Sequence, residues 1–286
     1  MPLSEPALVT GCSSGIGRAA ALRLLATGRP TYATARDVGA LDDLAHAGAR
    51  VLTLDVTDEQ SMLAAVARVE DESDAVGVLV NNAGYAEYGP VEEVPLDAVR
   101  RQFETNVFGL LRLTQLVLPG MRTRRRGRVV NVSSMGGRMT LPGGGAYHAS
   151  KYAVEALTDA LRFEVRGFGI GVSLVEPGPV HTSFAESATA VPDDLDGPYA
   201  RFRREVAARN AASYAHPQAR GTCTADDVAR VIVSAVASGR PRARYLVGGV
   251  SRALVWGHQV LPTTAWDAML RRAYPAPSPD GGAEAE

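Results

Sequence analysis

The stretch AYHASKYAVEA carries Tyr147 and Lys151, four residues apart. Of the 30 basic residues in the chain 29 are arginine, and Lys151 is the one lysine. On a helix this spacing puts both side chains on one face. A free tyrosine ionises near pH ~10, too high for a base and too weakly acidic to release its proton readily at neutral pH. A neighbouring ammonium stabilises the phenolate. Lowering the pKa to about 7 requires about 4 kcal/mol of differential stabilisation, far more than an exposed i,i+4 pair supplies. The pair must therefore be partly buried. A compact ammonium with three donors can also reach two ribose hydroxyls of a nucleotide, which a flat guanidinium does less well.

A second cluster lies near the N-terminus, where ALVT runs into TGCSSGIGR with Gly11, Gly15 and Gly17. Glycines there let the chain turn tightly and let phosphates approach the start of the next helix, at Ile16, whose unpaired N–H groups favour an anion. The spacing is G-x-x-x-G-x-G, unlike the commoner G-x-G-x-x-G. The next strand ends TYATARD, with Ala35 where an NAD site commonly places an acid, and Arg36 beside it. A guanidinium suits a 2′-phosphate, and the hydroxyls of Ser13 and Ser14 add donors, so NADP(H) is expected over NAD. Asp37 is the competing feature, since its carboxylate is placed to neutralise Arg36 or take a ribose. Asp55 and Val56 follow a third strand, either to hold an adenine through carboxylate and N–H or as turn residues before a helix. Ser133 and Ser134 end a strand in NVSSMGG, where a hydroxyl can donate to a substrate carbonyl oxygen; a plain turn is the other reading.

These residues need elements to carry them. Short apolar runs at 7–10, 31–35, 50–56, 77–84, 128–134, 170–178 and 243–249 predict strands. Segments at 16–28, 58–71, 96–121, 146–166 and 224–239 have helical periodicity, the last with Thr224 as N-cap. Continuous apolar strands alternating with helices predict an α/β fold, a doubly wound parallel sheet of the Rossmann type, with ligands at the strand carboxyl ends. Residues 1–274 are expected to form a single domain. Within it, 184–222 form a polar, partly helical insertion placed to act as a substrate lid, and 275–286 form a disordered tail.

Composition narrows the function classes. A net charge of -1 offers no electrostatic reason for nucleic acid or an anionic membrane. The arginine run RTRRRGR (122–128) falls between a helix end and a strand, where cations complement the helix dipole. Two cysteines, Cys12 and Cys223, are too few for a disulfide framework. No signal peptide or membrane-spanning run is visible, so a cytoplasmic location is expected. Histidines, cysteines and carboxylates show no metal-site spacing, and His148, His181 and His216 are read as structural or pocket-lining.

Taken as a set, TGCSSGIGR, LDV, NNAG, Asn106, the serine, YHASK and PGPVHT resemble the short-chain dehydrogenase/reductases of the single-domain kind over residues 5 to 185. The resemblance implies hydride transfer between NADP(H) and a small-molecule alcohol or carbonyl compound. It selects Ser134 over Ser133 as the catalytic serine, thirteen residues before the tyrosine, and adds Asn106 as the fourth catalytic group, holding a water that links Lys151 to solvent. It places Asn82 along the cofactor and Val180 and Thr182 against the nicotinamide carboxamide, and it implies a homodimer or homotetramer formed through the helices at 96–121 and 146–166. YATARD and EPGPVHTSF are similar to the branch holding 17β-hydroxysteroid and retinol dehydrogenases, which act on bulky apolar substrates. A non-catalytic NADP(H)-binding regulator on the same fold is the alternative, and an epimerase or dehydratase a third; the intact serine, tyrosine and lysine disfavour a mere binding module.

Overall fold

The computed structural model describes residues 5–181, 189–190, 196–215 and 223–277. Its core is a seven-stranded parallel sheet in the order β11-β7-β6-β4-β1-β2-β3. The strands are β1 (Ala7–Val9), β2 (Thr31–Ala35), β3 (Arg50–Thr53), β4 (Val78–Asn81), β6 (Gly127–Val132), β7 (Ile170–Pro177) and β11 (Arg244–Val247). Alternation within each strand feeds two cores. Ala7, Val9, Val78, Val80 and Val130 point to one face, where α1 (Gly15–Ala26), α2 (Asp42–His46) and α8 (Ala225–Ala237) cover them. Leu8, Leu79 and Val129 point to the other, against α3 (Glu59–Ser73) and α5 (Leu110–Thr123), with Leu161 of α6 (Gly145–Glu164) packed alongside. Strand order reverses at β1, between β2 and β4, and a doubly wound sheet opens a crevice at that reversal.

The observed strands are shorter than the apolar runs predict. β3 stops at Thr53 and β4 at Asn81, so Asp55, Val56, Asn82 and Gly84 sit in the turns beyond the ladder. The expected helix at 96–121 is two helices, α4 (Leu96–Phe103) and α5, joined by a π-helical turn over Glu104–Gly109. Gly109 lets the end of that turn pack directly on the loop after β3, because a Cβ there would lie 2.3 Å from the Val56 carbonyl oxygen.

Several elements carry no strong periodic signal. Glu87–Tyr88 (β5) pairs with Thr189–Ala190 (β9), and Val180–His181 (β8) with Cys223–Thr224 (β10). Within the insertion, α7 (Ala200–Ala215) is helical; residues 182–188, 191–195 and 216–222 lie outside the described set, as does 278–286 of the expected tail. After β11 come α9 (Gly249–Val260) and α10 (Thr263–Ala273), which pack Val255 and Trp266 on Met139.

The arginine run is absorbed into the fold, since Arg124 and Arg126 pair with the buried Glu5 carboxylate at 2.9 and 2.5 Å. Cys12 and Cys223 are free and buried, and burial pushes the Cys12 thiol up to about 12. No described helix is long and apolar enough to cross a membrane.

Thr224 begins α8 with a reciprocal capping box: its Oγ accepts from Asp227 N–H at 3.1 Å, and its own N–H donates to the Asp227 carboxylate at 2.9 Å. Thr224→Ala should cost about 1 kcal/mol, read in urea as a lower midpoint with an unchanged slope; an unshifted midpoint would show that the cap adds nothing.

Candidate active site

The first crevice wall is the loop between β1 and α1. Gly11 and Gly15 have φ of 70° and 56°, and a Cβ on Gly17 would meet the Gly11 carbonyl oxygen at 2.3 Å and Asn82 Nδ2 at 2.5 Å. Asn82 clamps this loop from β4: its Nδ2 donates to the carbonyls of Thr10 and Gly11 at 3.0 and 3.1 Å. Thr10 returns the link, its Oγ accepting from the N–H groups of Asn82 and Ala83, both at 3.0 Å. Ser14 stands at the N-cap of α1 without a side-chain cap, and the first turn holds no acid. The helix start therefore keeps unpaired N–H groups toward the cavity lined by Ser13, Ser14, Gly15 and Ile16. This cradle fits the pyrophosphate of a dinucleotide.

Arg36 and Ala35 line the same cavity. The Asp37 carboxylate turns to its own backbone, accepting from Gly39 N–H at 2.9 Å. Asp55 and Val56 line it too, yet the Asp55 Oδ1 already accepts from the N–H and hydroxyl of Thr57 at 2.9 and 2.8 Å. Its turn role and its place in the cavity coexist.

Tyr147 and Lys151 share the inner face of α6. Lys151 is 5% exposed, and its ammonium stands 5.9 Å from the Tyr147 ring centroid. It donates to the Val132 carbonyl at the end of β6 at 3.0 Å. Burial pulls its pKa down to about 8, against the opposing pull of Glu155 one turn further along. The Tyr147 ring meets Tyr88 at 6.0 Å and His148 at 5.7 Å, both tilted.

The two serines of the β6 turn part company. Ser134 lines the cavity, its Oγ accepting from Gly136 N–H at 3.0 Å so that its own proton is left to donate. Ser133 is buried behind it. The π turn holds Asn106, whose Nδ2 donates to the Tyr85 carbonyl at 2.9 Å and to Ser150 Oγ at 3.0 Å, while its Oδ1 accepts from Tyr85 N–H at 3.1 Å. A Cβ on Gly84 would lie 2.9 Å from Asn106 Oδ1 and 3.7 Å from Lys151 Nζ. The bare glycine thus lets asparagine and lysine converge.

Val180 lines the cavity beside Pro177, Gly178 and Pro179. Thr182 and His216 lie outside the described residues, and no cluster of possible metal ligands occurs within them. The cavity measures about 1080 Å³ and runs from the glycine loop to Tyr147. Sequence reasoning missed Thr10 as a clamp, and it missed Tyr88, Met135, Leu141, Arg209 and Tyr274 on the far wall. Their side chains come from five separate segments, and no local pattern ties them to one site.

The family model for short chain dehydrogenases matches residues 5–192. A probable short-chain type dehydrogenase/reductase, VdlC of Helicobacter pylori, is 36% identical over 93% of this chain and 96% of its own. Human 17-beta-hydroxysteroid dehydrogenase type 1 is 42% identical over 66% of this chain and 60% of its own. A short-chain dehydrogenase structure from Streptomyces avermitilis superposes with a TM-score of 0.81 at 34% identity, covering 94% and 95% of the two chains. Two further neighbours, each 26% identical, hold different nucleotides. One from Burkholderia phymatum is in complex with NAD (TM-score 0.77, 93% and 95% covered), and a metagenomic one is in complex with NADP (0.65, 85% and 96%). A glycine cradle at the sheet's switch point, a buried lysine under a tyrosine and matches along nearly the full chain agree: the protein belongs to the short-chain dehydrogenase/reductase family and is an oxidoreductase that binds a nicotinamide cofactor.

Proposed function

We propose that the protein is an NADP(H)-dependent oxidoreductase interconverting an alcohol and a ketone or aldehyde, with Tyr147 as general acid and base. The observation that carries this reading is the buried ammonium of Lys151 beneath the Tyr147 ring, in a cavity continuous with the glycine loop. When bound there, the nicotinamide nucleotide supplies or accepts the hydride. Gly11, Gly15, Gly17, Ser13, Ser14 and Asn82 would hold its pyrophosphate, Asp55 and Val56 its adenine, and Lys151 its ribose. Val180 and Thr182 would face the carboxamide.

In the reductive direction Ser134 donates a hydrogen bond to the carbonyl oxygen, and Tyr147 gives that oxygen its phenolic proton. Lys151, with a pKa of about 8, is mostly charged at pH 7 and steadies the resulting phenolate. Asn106 holds the π turn open beside Lys151, where a water can return the proton. Arg36, unshared by Asp37, favours a 2′-phosphate. The walls of Tyr88, Met135, Leu141, Pro142 and Tyr274 suit a bulky apolar substrate, which agrees with the steroid named for the human relative. Phe108, in the π turn before α5, and Phe163, near the end of α6, are exposed apolar side chains, which supports self-association through these helices.

Tyr147→Phe should reduce turnover by at least about a thousandfold while the NADPH dissociation constant stays within about twofold; wild-type rates in this variant would refute the mechanism. Arg36→Ala should weaken NADPH by about tenfold or more and leave NADH unchanged, as read by fluorescence titration with both nucleotides. An equal loss for both would remove the 2′-phosphate assignment.

Burial of Lys151 also predicts a linkage. Its folded pKa, about 8, lies below the ordinary lysine value, so between those two pH values the unfolded chain binds the extra proton. Folding stability from this group therefore rises as pH climbs from about 8 towards 10.5. Denaturant titration of the cofactor-free protein should show wild type gaining on Lys151→Met across that window, and a constant gap would contradict a depressed pKa.

A further inference from the structure

His148 follows Tyr147 directly, is 8% exposed and lines the cavity beside it. Leu141 N–H donates to its Nδ1 at 3.3 Å. An imidazole nitrogen that accepts a hydrogen bond carries no proton, so in the neutral ring the proton is on Nε2. That state persists at working pH, because burial alone pulls the pKa down to about 4.

The surroundings of Nε2 are unusual. Gly136 and Gly144 flank the ring so closely that a Cβ on either would stand 3.0 Å from Nε2, and 2.4 or 2.5 Å from a ring carbon. Both glycines line the cavity. Any other residue would cover or displace the imidazole; with hydrogen in place of a side chain, the Nε2–H is left at the wall without a partner among the described residues. A donor on a cavity wall costs free energy when a ligand covers it and leaves it unpaired. It rewards a ligand that brings an acceptor.

We propose that His148 is a specificity residue whose Nε2–H, framed by Gly136 and Gly144, donates to a second oxygen carried by the substrate near the reacting carbon. The inference rests on the alcohol–carbonyl reading above and deepens it: the preferred substrate is an apolar compound with a hydroxyl, ether or carbonyl oxygen a few bonds from the group that is reduced or oxidised. A bare hydrocarbon ketone would bind with the donor unsatisfied. The hydrogen bond is donated by neutral imidazole and so does not depend on a change of protonation in the physiological range.

The test is a panel of phenyl alkyl ketones, each paired with a counterpart bearing one hydroxyl or methoxy group at successive chain positions. All are assayed with NADPH for kcat/KM. Comparing the oxygenated-to-plain ratio between wild type and variants cancels intrinsic reactivity. His148→Leu and His148→Phe remove the donor, whereas His148→Gln keeps an acceptor for Leu141 and a donor for the ligand. For at least one position the ratio should fall about fivefold to tenfold in the Leu or Phe variant. It should persist in the Gln variant, stay flat from pH 5.5 to 9, and leave NADPH binding unchanged. Equal ratios in wild type and both donor-less variants at every position would overturn the proposal. So would a Gln variant that loses as much as Leu, or a ratio that breaks near pH 6 to 7. If wild type turns over no member of the panel with NADPH while binding the nucleotide, the alcohol–carbonyl reading itself fails, a different result from turnover without discrimination.

Discussion

Holding an ammonium out of water beside a phenol is a costly arrangement, and the architecture around Lys151 is organised to tolerate it. Desolvation of a charge in a protein interior costs several kcal/mol unless hydrogen bonds replace its hydration. Here the Val132 carbonyl takes one donor, and Glu155 sits one turn away on α6 as a compensating acid. Gly84, lacking a Cβ, leaves room for the ammonium and the Asn106 carboxamide side by side. Each partner comes from a different element: the end of β6, the next turn of α6, the loop after β4 and the π turn before α5. A charge retained under these conditions is a charge whose electrostatic effect on a neighbour is little screened, and that neighbour is Tyr147.

The same logic extends outward. Glu155 and Glu176 are both buried and share the Nε of Arg244 at 3.1 Å. Burial, with Glu176 close by, pushes Glu155 up to about 7. Arg138 reaches Glu176 at 3.3 Å from the end of the turn that starts at Ser134. One buried charge network thus ties the serine turn, the lysine helix, β7 and the edge strand β11. Such networks contribute little net stability, because desolvation offsets attraction, but removing one member leaves its partner charged and alone.

Nucleotide and substrate halves of the cavity are built on different terms. The nucleotide half is mostly backbone: two positive-φ glycines, a helix start without a side-chain cap, and a clamp between Asn82 and Thr10 that joins β1 to β4. Backbone donors suit the phosphates of many dinucleotides, while Arg36, Ser13 and Ser14 are the side chains this part of the cavity adds around them. The substrate half is side chains from α6, α7, the 141–144 loop and the stretch after α10. That part of the wall is thus assembled from helices and loops far apart in the chain.

Much of this was legible in the sequence because the chemistry uses local spacing. Tyr147 and Lys151 share a face through the helical repeat, and the glycine loop follows a strand and opens a helix; both relations hold whatever the rest of the chain does. Alternating apolar strands and helices likewise determined a parallel, doubly wound sheet, and Thr224 announced its helix. Tertiary structure alone decided where strands stop and the site begins, since β3 and β4 end once their apolar runs meet the crevice. It also decided that the 96–121 helix widens into a π turn around Asn106, which depends on Tyr85, Ser150 and Val56 from other segments. His148 shows the division most clearly. Its identity is local, but its tautomer depends on Leu141 and its exposure to the cavity on Gly136 and Gly144, relations that exist only after α6 packs against the loops at its N-terminal end.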